Sequence, residues 1–250
     1  MVKSMSTNMK WSFSICFNSS LHLKKQLDSI RNQDGLSVSN YQIVLIGPPL
    51  YEANQQVEAN RNLGVDISLV PFDDTAENGW ITRKKNLSVY MCKYDNLVIT
   101  HDYIALCKDW YKNFVSYGDD WDVCMNPIRF PDGKRFRDWI KFKEVWGWPL
   151  YLPYEDESNT TNMYISGTYW CAKKQYMIKN PLNESLRWGQ GEDLEWSHRC
   201  RHTWKYRMNK KSVVKMLKEK RWKGEMDYSP HPDTDPNSQD IELFSSEIQQ

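Results

Sequence analysis

Short apolar runs alternate with amphipathic stretches through the first half of the chain. Trp11 to Phe17 is a β-prone apolar run and predicts a buried strand. Leu21 to Arg31 sets Leu23, Leu27 and Ile30 on one face and predicts a helix, with Ser19 or Ser20 as its cap. Tyr41 to Ile46 predicts a second strand, stopped by Gly47-Pro48-Pro49. Val65 to Val70 predicts a third, stopped by Pro71. Ile81 to Cys92 predicts a helix with Leu87, Tyr90 and Met91 facing inward. Asn96 to Thr100 then reads as a strand, Ile104 to Val115 as a helix and Trp121 to Met125 as a fifth strand. This alternation argues for an α/β fold, a mostly parallel central sheet flanked by helices. Ligands of such sheets bind beyond the carboxyl ends of the strands.

Pro127 to Asn162 breaks the rhythm. It is rich in Pro, Trp, Asp and Lys and reads as a long irregular insertion, a class of loop that is often functional. Its aromatic part, Trp139 to Tyr154, is a candidate wall or lid of a binding site. Met163 to Lys173 predicts another strand, Gly191 to His202 a helix, and Ser212 to Met216 a last strand. From Asp227 the chain is polar and Pro-rich, which predicts a flexible tail over 227–250. The expected organisation is one domain over 1–226, with two halves of about 11–126 and about 127–226.

Composition narrows the classes. At 250 residues and 40% hydrophobic content the chain can bury a substantial core. No apolar run reaches the roughly 20 residues of a membrane span, and MVKSMSTNMK lacks the apolar region of a secretory signal. A cytoplasmic protein is expected (host cytoplasm, were the source a virus). The six cysteines form no CxxC pair and read as small buried hydrophobes. The net charge of +1 hides an asymmetry: Arg199 to Lys223 holds eleven Lys and Arg against Glu219 alone, and Asp227 to Gln250 holds six acids with no Lys or Arg. The basic stretch is either a solvated face or a contact for phosphates. No recognition helix or zinc module accompanies it, so no nucleic-acid partner is expected.

Four constellations carry candidate chemistry. Leu97-Val-Ile-Thr-His-Asp102 is an apolar strand ending in His-Asp, where a carboxylate can hold a divalent cation on a diphosphate. Asp102 could equally cap a helix starting near Ile104, and His101 could be a ligand, a substrate contact or polar filler. Trp188-Gly-Gln-Gly-Glu-Asp-Leu-Glu-Trp-Ser197 places glycines before paired acids at a helix start. A carboxylate there can act as general base on a sugar hydroxyl, and acids in a first helical turn are also favoured by the dipole. Ile81-Thr-Arg-Lys-Lys-Asn86 offers cations at a helix N-terminus, a phosphate site or a solvated turn. Phe17-Asn18-Ser19 ends the first strand, where an aromatic or amide could meet a base.

In this order the pieces resemble nucleotide-sugar glycosyltransferases of the GT-A fold, close to the family-2 type, over roughly residues 11 to 217. SFSICFNSSLHLKKQLDSI resembles that family's opening unit. TRKKN followed by LVITHD resembles its basic turn and DXD-like strand end, here Thr100-His101-Asp102 with the first acid replaced. SGTYWCAKK resembles its acceptor-side strand and WGQGEDLEWS its E-D helix. The resemblance implies a GT-A-like fold with a small acceptor-side antiparallel element. It implies a nucleotide-sugar donor, UDP-linked by preference, and a glycan or glycoprotein acceptor. Asp102 would hold Mn²⁺ or Mg²⁺; Asp193 would be the catalytic base, with Glu192 second. Phe17, Asn18, Asp73, Asp74, Arg83, Lys84, Asn86 and His101 would line the donor site, and Trp170, Trp188 and Gly191 the acceptor site. Displacement would be inverting and metal-assisted. His231 or the basic stretch would complete the diphosphate site. A carbohydrate-binding module on the same frame, without catalysis, is the alternative.

Overall fold

The computed structural model describes residues 8–73, 75, 79–142, 149–158 and 160–220. Its centre is a seven-stranded sheet built from β1 (Trp11–Cys16), β2 (Tyr41–Gly47), β3 (Asp66–Pro71), β4 (Asn96–His101), β6 (Val123–Met125), β11 (Tyr169–Lys173) and β12 (Tyr206–Met208). The spatial order is β12-β6-β11-β4-β1-β2-β3. β11 runs antiparallel to both its neighbours, β4 and β6, and the remaining pairs are parallel. β1 is buried at every position, as a near-continuous run in a sheet covered on both faces must be.

Two small sheets complete the fold. β5 (Ile104–Leu106), β7 (Ile128–Arg129) and β13 (Val214–Met216) form one; β8 (Ile140–Phe142), β9 (Pro149–Tyr151) and β10 (Met163–Tyr164) form the other, which is antiparallel. The helices are α1 (Leu23–Arg31), α2 (Tyr51–Asn62), α3 (Ile81–Met91), α4 (Trp110–Tyr117), α5 (Lys174–Lys179) and α6 (Glu192–Cys200). All six cysteines are buried and free. No described helix is long and apolar enough to cross a membrane.

Several expectations are corrected. Ile104 to Leu106 is a strand, because it pairs with β13, and the helix begins only at Trp110, after Asp109 turns left-handed at φ 63°. Asp102 therefore caps no helix at Ile104. α1 starts at Leu23 with His22 as its cap residue; the Ser19 hydroxyl accepts instead from Leu21 N–H at 3.2 Å. α2 was not foreseen: only Ala53, Val57 and Asn60 of its twelve residues are buried, so its apolar stripe is faint. Met163 to Lys173 is two strands in different sheets, separated by Ser166-Gly167-Thr168. The insertion is a knot around the buried Asp138 carboxylate, which accepts from Ile128 N–H, Arg135 Nε and Tyr154 Oη at 2.7–2.9 Å. Trp139 and Tyr154 are buried in that knot and form no open wall, and residues 143–148 of the expected wall or lid lie outside the described residues. The tail 227–250 lies outside the described residues.

The largest correction concerns α3. Leu87, Tyr90 and Met91 are 36%, 57% and 49% exposed, and the buried face is Ile81, Thr82, Lys84, Lys85, Asn86, Ser88 and Val89. The helix is rotated away from its apolar positions because its polar side chains find partners inside. Ser88 Oγ lies 2.5 Å from Ser14 Oγ on β1, a small–small contact that lets helix and sheet approach closely. Replacing Leu87 with Ser should therefore change stability by no more than about 0.5 kcal/mol. Val89→Ala should cost roughly 1–3 kcal/mol, both read by urea unfolding. Equal costs would refute the rotated face.

Candidate active site

The carboxyl ends of β1 and β4 lie side by side, with Cys16 opposite His101. Asp102 N–H donates to the Cys16 carbonyl at 3.1 Å. The Asp102 Oδ2 accepts the backbone N–H groups of Asn18 and Ser19, each at 3.3 Å. From the other side Lys84 Nζ donates to the Phe17 carbonyl at 2.8 Å and to Asn18 Oδ1 at 2.6 Å. Phe17, Asn18, Lys84 and Asp102 thus share one turn. The Phe17 ring is buried against Gly47, where even a Cβ would come within 2.2 Å of the Phe17 carbonyl oxygen. Its backbone serves this turn, and its ring is not presented to a base.

His101 stacks on Tyr103, with ring centroids 5.4 Å apart at 11°. Burial holds its pKa well below the ordinary histidine value, and Lys85, Lys220, Lys84 and Lys218 push the same way. Asp73, just past β3, spends an oxygen on Thr75 N–H and Oγ1 at 2.9 and 2.6 Å. Asp74 lies outside the described residues. Arg83 and Asn86 face another way. Arg83 pairs with Glu184 at 3.0 Å, and the Asn86 amide donates to the Leu182 carbonyl and accepts from Leu182 N–H, both at 2.9 Å. They brace the segment leading to the glycine loop.

The second cluster forms on Ser166-Gly167-Thr168. His101 N–H donates to the Thr168 carbonyl at 3.1 Å, which ties this turn to the end of β4. Gly167 N–H donates to Asp193 Oδ2 at 3.0 Å, and Leu194 N–H to Oδ1 at 3.0 Å. Lys85, fully buried, donates to the Gly167 carbonyl at 3.0 Å and pairs with Glu192 Oε1 at 3.1 Å. Asp102 and Asp193 are therefore held at the same end of the sheet by adjoining turns. Burial raises the Asp193 pKa above its ordinary value, the Glu192 charge adds to this, and Lys85 and the two amides oppose it. Gly191 takes φ +72° at the start of α6, a left-handed turn that glycine adopts freely. Trp188 is 71% exposed beside this loop. Trp170, in contrast, is fully buried in the sheet with Lys85 Nζ 4.9 Å from its ring centroid, so it touches no acceptor.

The sequence reading named the basic turn, SGTYWCAKK and the basic stretch but did not single out Lys85, Gly167, Thr168, Lys218 or Lys220 within them, and it missed Tyr103. The Ser-Gly-Thr turn had a signal: small residues splitting an otherwise apolar strand. The basic stretch did not separate Lys218 and Lys220 from its other cations. Arg199, Lys205, Arg207 and Lys210 pair with Glu195, Asp120, Glu157 and Glu155. His231 lies outside the described residues.

The donor set for a divalent ion is small. No group of three or more His, Cys, Asp and Glu that could hold a metal occurs among the described residues. Asp102 can offer Oδ1 while its Oδ2 is anchored. That fits an Mg²⁺ or Mn²⁺ held through one carboxylate and the ligand's own phosphates.

Comparisons place this geometry among known folds. No family model matches the sequence, and no curated protein matches it. Residues 1–349 of S. aureus TarS, solved in complex with UDP-GlcNAc, superpose with a TM-score of 0.60 at 14% identity, over 86% of this chain and 60% of that one. GalNAc-T7, solved with UDP, GalNAc and Mn²⁺, gives 0.65 at 13% identity, over 84% of this chain and 44% of that one. This chain thus spans 60% or less of either neighbour's length. The likeness shows the fold: the chain has the GT-A architecture that its motifs resemble.

Two outcomes test the site. A Cβ on Gly167 would lie 2.8 Å from Asp193 Oδ2, so Gly167→Ala should cost about 1–3 kcal/mol in urea unfolding and displace that carboxylate. Folded Asp193 binds its proton more tightly than the unfolded chain does. Its contribution to stability therefore falls as pH rises from its ordinary 3.8 through its raised folded pKa, then levels off. Asp193→Asn should remove that component of the pH–stability curve, and an unchanged curve would refute it.

Proposed function

We propose that this protein is a glycosyltransferase. It moves a sugar from a nucleotide-sugar, UDP-linked by preference, to a hydroxyl of a glycan or glycoconjugate, with inversion at the anomeric carbon. The observation that carries this reading is the fixing of Asp193 against the Ser166–Thr168 turn, beside the β4 end that bears Asp102. The GT-A architecture and the UDP-bound neighbours support it. The donor half is assigned to about residues 11–126, and the acceptor side to the segments around Trp188 and Gly191.

Asp193 is the general base. It takes the proton of the acceptor hydroxyl as that oxygen attacks the anomeric carbon from the face opposite the diphosphate. The bond from that carbon to the phosphate oxygen breaks, and its electron pair leaves on the nucleoside diphosphate. A raised pKa suits this task, since a stronger base accepts the proton more readily. Both Asp193 oxygens keep lone pairs beyond the one each gives to a backbone N–H. Glu192, spent on Lys85, acts as that lysine's charge partner. A divalent ion held through Asp102 and the phosphates would stabilise charge on the departing diphosphate.

A thermal-shift panel of nucleotide-sugars with and without Mn²⁺ should show selective stabilisation by one nucleotide class. Asp193→Asn should lower transfer by about 10²- to 10⁴-fold while leaving nucleotide affinity within about threefold. Retained turnover would remove Asp193 from the base role. Glycan binding with no donor consumed by the wild-type protein would favour the non-catalytic module.

A further inference from the structure

Alternation along β7 and β13 sends Ile128 and Val214 into the core and the next residues, Arg129 and Lys215, to the opposite face of their small sheet. The two strands are parallel neighbours, and Arg129 is the register partner of Lys215. On its other side Arg129 forms an antiparallel bridge with Arg135. Partners in register share a face and stand about 5 Å apart. Lys215, Arg129 and Arg135 therefore make a row of three cations across adjacent strands. Like charges directly opposite one another destabilise a sheet unless negative charge offsets them.

Arg135 has its counterion, Asp138, at 2.7 Å. Among the described residues no carboxylate pairs with Arg129 or Lys215. Asp138 cannot serve them, since its two oxygens already accept from Ile128 N–H, Arg135 Nε, Trp139 N–H and Tyr154 Oη. Arg129 is only 6% exposed, and its Nε has no hydrogen-bond partner. A guanidinium keeps its charge at any ordinary pH, so burial without a partner is costly. Lys215 is half-buried, and there the row reaches water. Both charges act on one neighbour: burial pushes the Cys107 thiol up to about 12, and Lys215 and Arg129 oppose that rise.

We infer that Arg129, flanked by Lys215, forms an accessory oxyanion site that takes a phosphate monoanion or dianion, free or carried on a sugar, apart from any nucleotide. Two unmatched charges favour the dianion, and the planar guanidinium fork suits two oxygens of one phosphate. The bound group supplies the negative charge that the row lacks. Lys215 stands opposite Ala105, three residues past Asp102 along β5, which separates the site from the Asp102 turn by about 10 Å. The inference rests on register, burial and charge, and it holds whether or not the protein transfers sugars.

Calorimetry on the full chain tests it. Inorganic phosphate, glucose 6-phosphate, acetate and glucose are titrated into wild type, Arg129→Gln, Lys215→Gln and the double variant. Phosphate or the sugar phosphate should bind wild type with a Kd of about 1 mM or tighter, and glucose should not bind. Acetate, with a single charge, should bind at least about 10-fold more weakly. Loss of one charged hydrogen-bonding partner should weaken the phosphate about 10-fold or more in each single variant, and further in the double variant. Lys215→Gln alters a half-buried side chain, so it keeps the test decisive should Arg129→Gln unfold the protein. Equal affinity for the two phosphates identifies the free ion as the ligand, and tighter glucose 6-phosphate binding identifies the sugar-borne group. Wild-type protein that takes up neither phosphate at about 10 mM overturns the site. So does a folded Lys215→Gln or double variant that binds phosphate as wild type does. Displacement of the phosphate by UDP with Mn²⁺ also overturns it, since that would place the anion in a nucleotide's own position.

Discussion

Two adjacent ammonium groups on one helix must find oxygen inside the protein, and this requirement organises the rest. An unpaired buried charge costs far more than any single apolar contact returns. Lys84 and Lys85 are both fully buried, and they point to different turns. Lys84 reaches Phe17 and Asn18; Lys85 reaches Gly167 and Glu192. Their demand outweighs the modest gain from burying Leu87, Tyr90 and Met91, so the helix rotates and leaves those apolar side chains in water. The same four contacts position the turns that carry Asp102 and Asp193.

The sheet supplies the other half of the placement. β11 is the strand that opposes β4, and this reversal brings Ser166-Gly167-Thr168 beside the carboxyl end of β4. A parallel strand in the same slot would instead finish there with its carboxyl end, and the turn leading into it would lie across the molecule. Gly167 can present both its N–H and its carbonyl to side chains because nothing projects from its Cα toward Asp193. Ser197 closes the arrangement: it donates to the Asp193 carbonyl at 2.6 Å and accepts from Ile165 N–H at 3.0 Å, which fastens α6 to the strand side.

Strands β1, β2 and β4 were legible because burial on both faces leaves compact β-prone runs, which is why Trp11, Ile43 and Val98 could be placed directly. Several short strands were not, β5 and β12 among them. Ile104 reads as helical until its partner, more than a hundred residues later, is known. Side-chain roles followed the same divide. The glycines before Glu192 and Asp193 marked a real turn, since local backbone demands appear locally. Trp170 and Phe17 looked like ligand contacts from their neighbours in sequence, yet both are buried, and burial is decided by distant elements. Lys85 was overlooked for the same reason: nothing beside it in sequence reveals Gly167 or Glu192.

In the proposed reaction, cations gathered for a leaving diphosphate would threaten the base, because every nearby positive charge lowers the pKa of a carboxylate. Asp193 lies next to Lys85 and shares its environment with Lys220. Burial is the largest influence on Asp193, and the Glu192 charge is the second; both act upward, against the lysine. Glu192 therefore has two electrostatic effects. It neutralises Lys85, and its negative charge helps raise the Asp193 pKa. Lys218 and Lys220 stand over Tyr103, on the Asp102 side of the Thr168 junction. Two ammonium groups thus stand on the Asp102 side of that junction, and the paired acids of α6 stand on the other, where burial and the Glu192 charge raise the Asp193 pKa.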